Sequence, residues 1–146
     1  MKKKSEAQVF LEQVKKLDFR IKNKLIEKQQ WKDIALGVTA SMGGDRVQSS
    51  GSPSKMADAV IKCVDIEAEI DALVDNLIDT KKQVVQTIEQ LDSYIEYDIL
   101  HRKYIQYQTL QEIADHYKTE YTNVTSAHGR ALKNVQAILD KISDSQ

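Results

Sequence analysis

"MADAVIKCVDIEAEIDALVDNLIDTKKQVVQTIEQLDSYI", residues 56–95, decides the fold. Met56, Val60, Cys63, Glu67, Ile70, Val74, Leu77, Lys81, Val84, Ile88, Leu91 and Ile95 recur at alternating steps of four and three, and ten of the twelve are apolar. An α-helix advances 100° per residue, so positions spaced in this way stack on one face. The spacing therefore predicts one helix of roughly 60 Å whose stripe is a coiled-coil seam. Glu67 and Lys81 interrupt the stripe and read either as register-setting polar positions or as a wet edge. Ile66 and Leu73 widen it and suggest a second contact face. Cys63, on the seam, reads as a small core filler.

Upstream, Phe10, Val14, Leu17, Ile21, Leu25, Trp31, Ile34 and Val38 repeat at helical spacing, which predicts a long helix from about Ser5 to Thr39. Its other faces carry Lys15, Lys16, Lys22, Lys24, Lys28 and Lys32. Between the two long helices "SMGGDRVQSSGSPS" gathers three of the five glycines and the only proline, so a loop is expected at 40–54. Ser52 before Pro53 suits the start of the next helix, because proline is tolerated at the first helical position. Residues 1–40 hold ten Lys or Arg against five Asp or Glu, whereas residues 54–100 hold four against eleven. Opposite charge on consecutive helices favours an antiparallel hairpin over residues 1–92, with self-association as the competing use of the seam.

Downstream, the polar residues around "LDSY" break the heptad, and a shorter helix is expected from about Tyr94 to Gln106. Thr109 with Glu112 three residues later is a capping-box spacing, in which each side chain satisfies the other residue's free backbone N–H. Leu110, Ile113, Ala114 and Tyr117 form one helical face; after "KTE" the pattern restarts with Val124, Ala127, Ala131, Val135 and Ile138. Two short helices joined by about three residues outline a helix-turn-helix. Ala114 is the small residue that close crossing needs, with Ile113, Tyr117, Val124 and Ala131 as pins. A domain over 93–146 follows.

The totals exclude several functions. At 146 residues, 41% apolar and 29% charged, the chain fits a helical protein of one modest domain plus an elongated element. One cysteine forbids an internal disulfide and a cysteine-rich zinc module. Nothing approaches the roughly 18–20 consecutive apolar residues of a membrane span. "MKKK" is followed by charges rather than an apolar run, so export is not expected and the chain reads as cytoplasmic. Asp98, His101 and Arg102 share one helical turn, and His116 and His128 stand alone, without metal-ligand spacing. The acidic run "DIEAEIDALVDNLID" reads as a solvated helix face. No phosphate loop, nucleophile elbow or triad spacing appears, so neither enzymatic activity, a metal nor a cofactor is expected.

"KY" at 103–104, "EIA" at 112–114, Tyr117, Val124 and "RAL" at 130–132 fall at the spacings of the helix-turn-helix in region four of bacterial sigma factors, which this segment of about forty residues resembles. The whole chain is also similar to the small sigma-like regulators of phages of the RinA and ArpU types, through "DRVQSSGSPSKMADAV" ahead of "HGRAL". Where the sigma-like pattern usually has Gly in the turn this chain has Lys118, and where Ser commonly starts the second helix it has Glu120. The resemblance implies a phage or prophage transcription regulator that contacts double-stranded promoter DNA, alongside RNA polymerase.

On that reading Tyr121, Thr122, Asn123, Thr125 and Ser126 are the exposed positions early in the second helix. Asn123 is the leading base reader, and Thr122, Thr125 and Ser126 are weaker ones. Phosphate contacts fall to Lys118, Arg130 and Lys133. About three phosphates per subunit give a salt slope of only about −3, which makes a homodimer or a polymerase partner necessary. The rivals are a terminase-like DNA-packaging recognition subunit and a coiled-coil adaptor that binds protein only, the latter favoured by Glu120 and the uncharged face.

Overall fold

The computed structural model describes residues 3–37 and 53–145, and its regular structure is entirely helical, as expected; among the described residues there is no strand. Residues 38–52, which hold Val38, Thr39, Ser52 and all of the expected loop at 40–54 except its last two positions, lie outside the described residues, and Pro53 and Ser54 are already helical. The elements are α1 (Glu6–Ala35), α2 (Pro53–Ile88), α3 (Tyr94–Leu100), a π-helical turn (His101–Ile105), α4 (Leu110–Tyr117) and α5 (Tyr121–Asp144).

Local chemistry accounts for most of the boundaries. Ser5 Oγ accepts from Gln8 N at 3.2 Å at the head of α1. Gly37 follows the tail of the helix at φ 76°, a left-handed conformation glycine adopts without a Cβ clash. Proline opens α2, where its missing N–H has no intrahelical partner to lose. α2 closes at Ile88, seven residues earlier than the heptad suggested: Gln90 N and Leu91 N reach back to Thr87 O and Ile88 O in a tight terminal turn. Ser93 then caps α3 by accepting from Glu96 N at 3.2 Å. Leu91 and Ile95 therefore leave the seam, and α2 is about 54 Å long.

The buried side of α2 is turned from the expected stripe. The side of α2 that becomes buried carries Ala59, Ile66, Thr80, Val84, Thr87 and Ile88, with Met56, Cys63, Ile70, Leu73 and Leu77 half-buried beside them. Val60, Glu67 and Lys81, expected on the seam, are exposed. Ile66 and Leu73 are thus part of the main contact and not of a second one. Threonine escaped the apolar count, yet the Thr87 hydroxyl donates to Gln83 O at 2.8 Å, which lets a polar residue sit buried on a helix.

The chain groups into two compact units, one of residues up to Lys16 and from Leu77 onward, the other Leu17–Asn76. These do not coincide with a cut after residue 92. In the second unit α1 and α2 run antiparallel: Lys24 pairs with Glu69 at 2.9 Å, Lys28 with Glu67 at 3.7 Å, and Lys62 lies 5.9 Å over the Trp31 ring, so partners on α2 fall as positions on α1 rise. Leu17, Ile21, Ala59 and Ile66 are its buried apolar residues, and Cys63 Sγ sits 3.8 Å from Lys28 O.

In the other unit Ala7, Leu11 and Val14 of α1 pack with Val84 and Ile88 of α2, Leu100, Tyr104, and Ala131 and Val135 of α5. Gln136 Oε1 accepts from Ala7 N at 3.0 Å, tying the first turn of α1 to α5. The segment expected as one helix from Tyr94 to Gln106 is α-helical only to Leu100; Gln106 N then bonds His101 O, five residues back, in the wider π ring.

Candidate nucleic-acid interface

The helix-turn-helix outline rests on local bonds. Glu112 N donates to Thr109 Oγ1 at 3.1 Å and Thr109 N to Glu112 Oε1 at 2.9 Å, the reciprocal capping box expected from the sequence. α4 ends at Lys118, whose φ of 54° and ψ of 48° place a side-chain-bearing residue in the left-handed region. That is the turn position where the sigma-like pattern usually has glycine, and the geometry gives the reason. Thr119 N returns to Ala114 O at 3.0 Å. Glu120 is the N-cap of α5 and makes no side-chain capping bond; a serine there has a hydroxyl short enough to accept from the first-turn N–H groups.

Ile113 and Ala114 of α4 meet Val124 and Ala127 of α5 and Ile99 of α3 in one buried cluster, with Leu110 and Tyr117 at its edge. Ala131, expected as a pin of this crossing, belongs instead to the other cluster with Leu11 and Val14. α5 is also long, 24 residues, because its second half continues into that core.

With Val124, Ala127, Ala131 and Val135 facing inward, the helical period puts Thr122, Ser126, Gly129 and Lys133 opposite them, with Asn123 and Arg130 on one shoulder. Lys118, Tyr121 (48% exposed), Thr122, Asn123, Ser126, Arg130 and Lys133 are all at the surface. Thr125 is half-buried and its hydroxyl donates to Thr122 O at 3.0 Å, which turns it toward its own helix. The exposed Asn123 amide donates to Thr119 Oγ1 at 2.9 Å, which commits one of its N–H groups. Gly129 lies in the middle of this face, exposed, and a Cβ there would meet nothing within 4 Å.

Two polar pairs brace this face from behind. Asp98 accepts from Arg102 Nε at 2.7 Å and from the Tyr117 hydroxyl, and the Arg102 guanidinium lies 5.9 Å over the Tyr117 ring. Burial pushes the Asp98 carboxyl up, but the bonds from Tyr117 and Arg102 and the charges of Arg102 and His116 outweigh it and hold it below its ordinary value. Burial, then the bond to Asp98 and its charge, push Tyr117 up to about 12. Asp98 and Arg102 were visible together in the sequence as i and i+4; Tyr117, nineteen positions on, was not joined to them. His128 is not isolated: its Nε2 shares a 2.8 Å hydrogen bond with the Tyr104 hydroxyl, the two rings stacking at 5.8 Å. Burial and the Lys103 charge bring His128 down to about 4, and burial raises Tyr104, so both are neutral near neutrality.

Among the described residues, no three His, Cys, Asp or Glu side chains are grouped as metal ligands are, and no helix is long and apolar enough to cross a membrane. No protein-family model, curated protein or solved structure matches the chain.

Proposed function

We propose that the chain is a sigma-like transcriptional regulator of a phage or prophage, in which the exposed first turns of α5 select a promoter element and a polymerase partner is recruited. One observation carries the reading: Ile113, Ala114, Val124 and Ala127 bury the inner faces of α4 and α5 and leave Tyr121, Thr122, Asn123, Ser126 and Arg130 outward, which is the disposition a major-groove reader requires. Asn123 and Ser126 offer hydrogen bonds to base edges, and Lys118, Arg130 and Lys133 offer charge to phosphates. With so few cations on a chain of net charge −1, the affinity of one subunit is modest, so the regulator works as a homodimer.

Gel shifts on fragments of the source genome over a salt series test this. A specific fragment should shift with a slope of about −3 per subunit; Arg130→Ala should flatten the slope by about one unit on all fragments, and Asn123→Ala should relax the preference among them. No shift at low salt removes the reading. A second reading, a helical adaptor that meets only protein, is favoured by one feature, the Glu120 carboxylate at the head of α5 where phosphate would approach. A specific shift combined with a silent promoter reporter and failed DNA packaging would point to a packaging subunit.

A further inference from the structure

The Leu17–Asn76 hairpin has half of a core. α2 carries two ladders that share Met56, Cys63 and Ile70. The one completed by Ala59, Ile66 and Leu73 lies under α1. The other, completed by Val60, Glu67 and Val74, is rotated by one residue and is open at its first two positions: Val60 is 52% exposed and Glu67 is exposed, whereas Val74, like Leu73, is half-buried. The three shared residues are half-buried as well, as expected of side chains covered from one side. The Lys28–Glu67 ion pair shows which edge of α1 borders the open ladder, and Leu25, one turn before Lys28 on that edge, is 50% exposed. An apolar stripe this wide exceeds the narrow a/d seam of a two-helix contact, so one packed helix leaves part of it uncovered. One neighbour is in place.

We propose that the second neighbour is another copy of this chain, which closes the open ladder as a four-helix bundle with its two-fold axis along the helices. Charge selects this occupant. Within the hairpin the α1 segment carries five basic against three acidic residues, and the α2 segment two against six. An axis along the helices places each α1 between its own α2 and that of the second copy, so every contact is antiparallel and joins a net basic helix to a net acidic one. Lys28 and Lys32 of one copy then face the acidic side of the other copy's α2. The arrangement is isologous and closes at two copies, whereas any foreign occupant has to bring its own basic amphipathic helix. This surface gives a place to the homodimer of the proposed function and rests on that reading for the second copy alone; its test contains no DNA, so its failure is distinct from a failure of α5 to shift DNA.

Sedimentation equilibrium of the full chain tests it. At hundred-micromolar concentration the mass should be about twice 16.6 kDa. Val60→Lys and, separately, Leu25→Glu should each return the mass of one chain with unchanged far-ultraviolet helicity, because both sites are already half in solvent. Ile61→Lys, next to Val60 but turned to the other flank, should leave the mass doubled. A single-chain mass for the unaltered protein overturns the proposal and leaves the face to a foreign basic helix. A species larger than two copies, a Val60→Lys protein that stays dimeric, or dissociation caused by Ile61→Lys also overturns it.

Discussion

Replacing Tyr117 with phenylalanine deletes one hydroxyl and tests how α4 is held to α3. That hydroxyl donates to Asp98, which keeps its second donor, Arg102 Nε at 2.7 Å, in the variant. The ring survives too, and with it the Arg102 contact at 5.9 Å and the edge contact with His116. The change therefore isolates one hydrogen bond to a charged, largely covered acceptor, which is worth about 1.5–3 kcal/mol. A loss of about 2 kcal/mol follows. For a chain of 146 residues it lowers the melting temperature by roughly 4–8 °C. Urea unfolding followed by circular dichroism should show a lower midpoint at unchanged slope. Tyr94→Phe, at a tyrosine 71% exposed, is the control that should not move.

Acid supplies a second readout. Because Asp98 is held below its ordinary value, its bonds stabilise the fold above the unfolded carboxyl pKa of about 3.9, and that stabilisation is lost as the pH falls through the folded-state value. The gap between the native chain and Tyr117→Phe should accordingly narrow below about pH 4. A double-mutant cycle with Asp98→Asn should return a coupling of about 1–2 kcal/mol. A change below about 0.5 kcal/mol near neutrality, or a gap indifferent to acid, would refute the bracing role of this pair.

Three further outcomes are expected. Lys118→Gly relieves a left-handed residue, worth about 1–2 kcal/mol, against about 0.5–1 kcal/mol of added chain entropy, so the urea midpoint should rise by the equivalent of about 0.5–1 kcal/mol. Gly129→Ala should raise stability by about 0.5–1 kcal/mol, since the helix gains propensity and the added methyl touches nothing; a fall in the urea midpoint would refute this. His128, about 4 in the fold and about 6.5 unfolded, takes up a proton only on unfolding, so stability should decline as the pH falls from about 6.5 to about 4 and not between pH 6.5 and 8. His128→Gln should flatten that acid limb in thermal melts.

What could be read from the residues alone is what forms within a turn or two of helix. The Thr109–Glu112 box closes over three residues, and the break near Ser93 is a cap over three more. Lys118 and Glu120 stood out as departures, and they occupy the two backbone positions, a left-handed helix end and an N-cap, whose demands glycine and serine meet locally. The seven-residue ladder of α2 likewise determined a long amphipathic helix.

Tertiary structure decided the rest. Ladders 59, 66, 73 and 60, 67, 74 share the same heptad and differ by one residue of rotation, so the period cannot say which of them α1 covers; packing chose the first. The Asp98–Tyr117 and Tyr104–His128 pairs join residues 19 and 24 positions apart, and the Ala7–Gln136 bond spans 129. Periodicity carries no signal over such separations, because those contacts exist only once α1, the π turn and α5 have enclosed a common core.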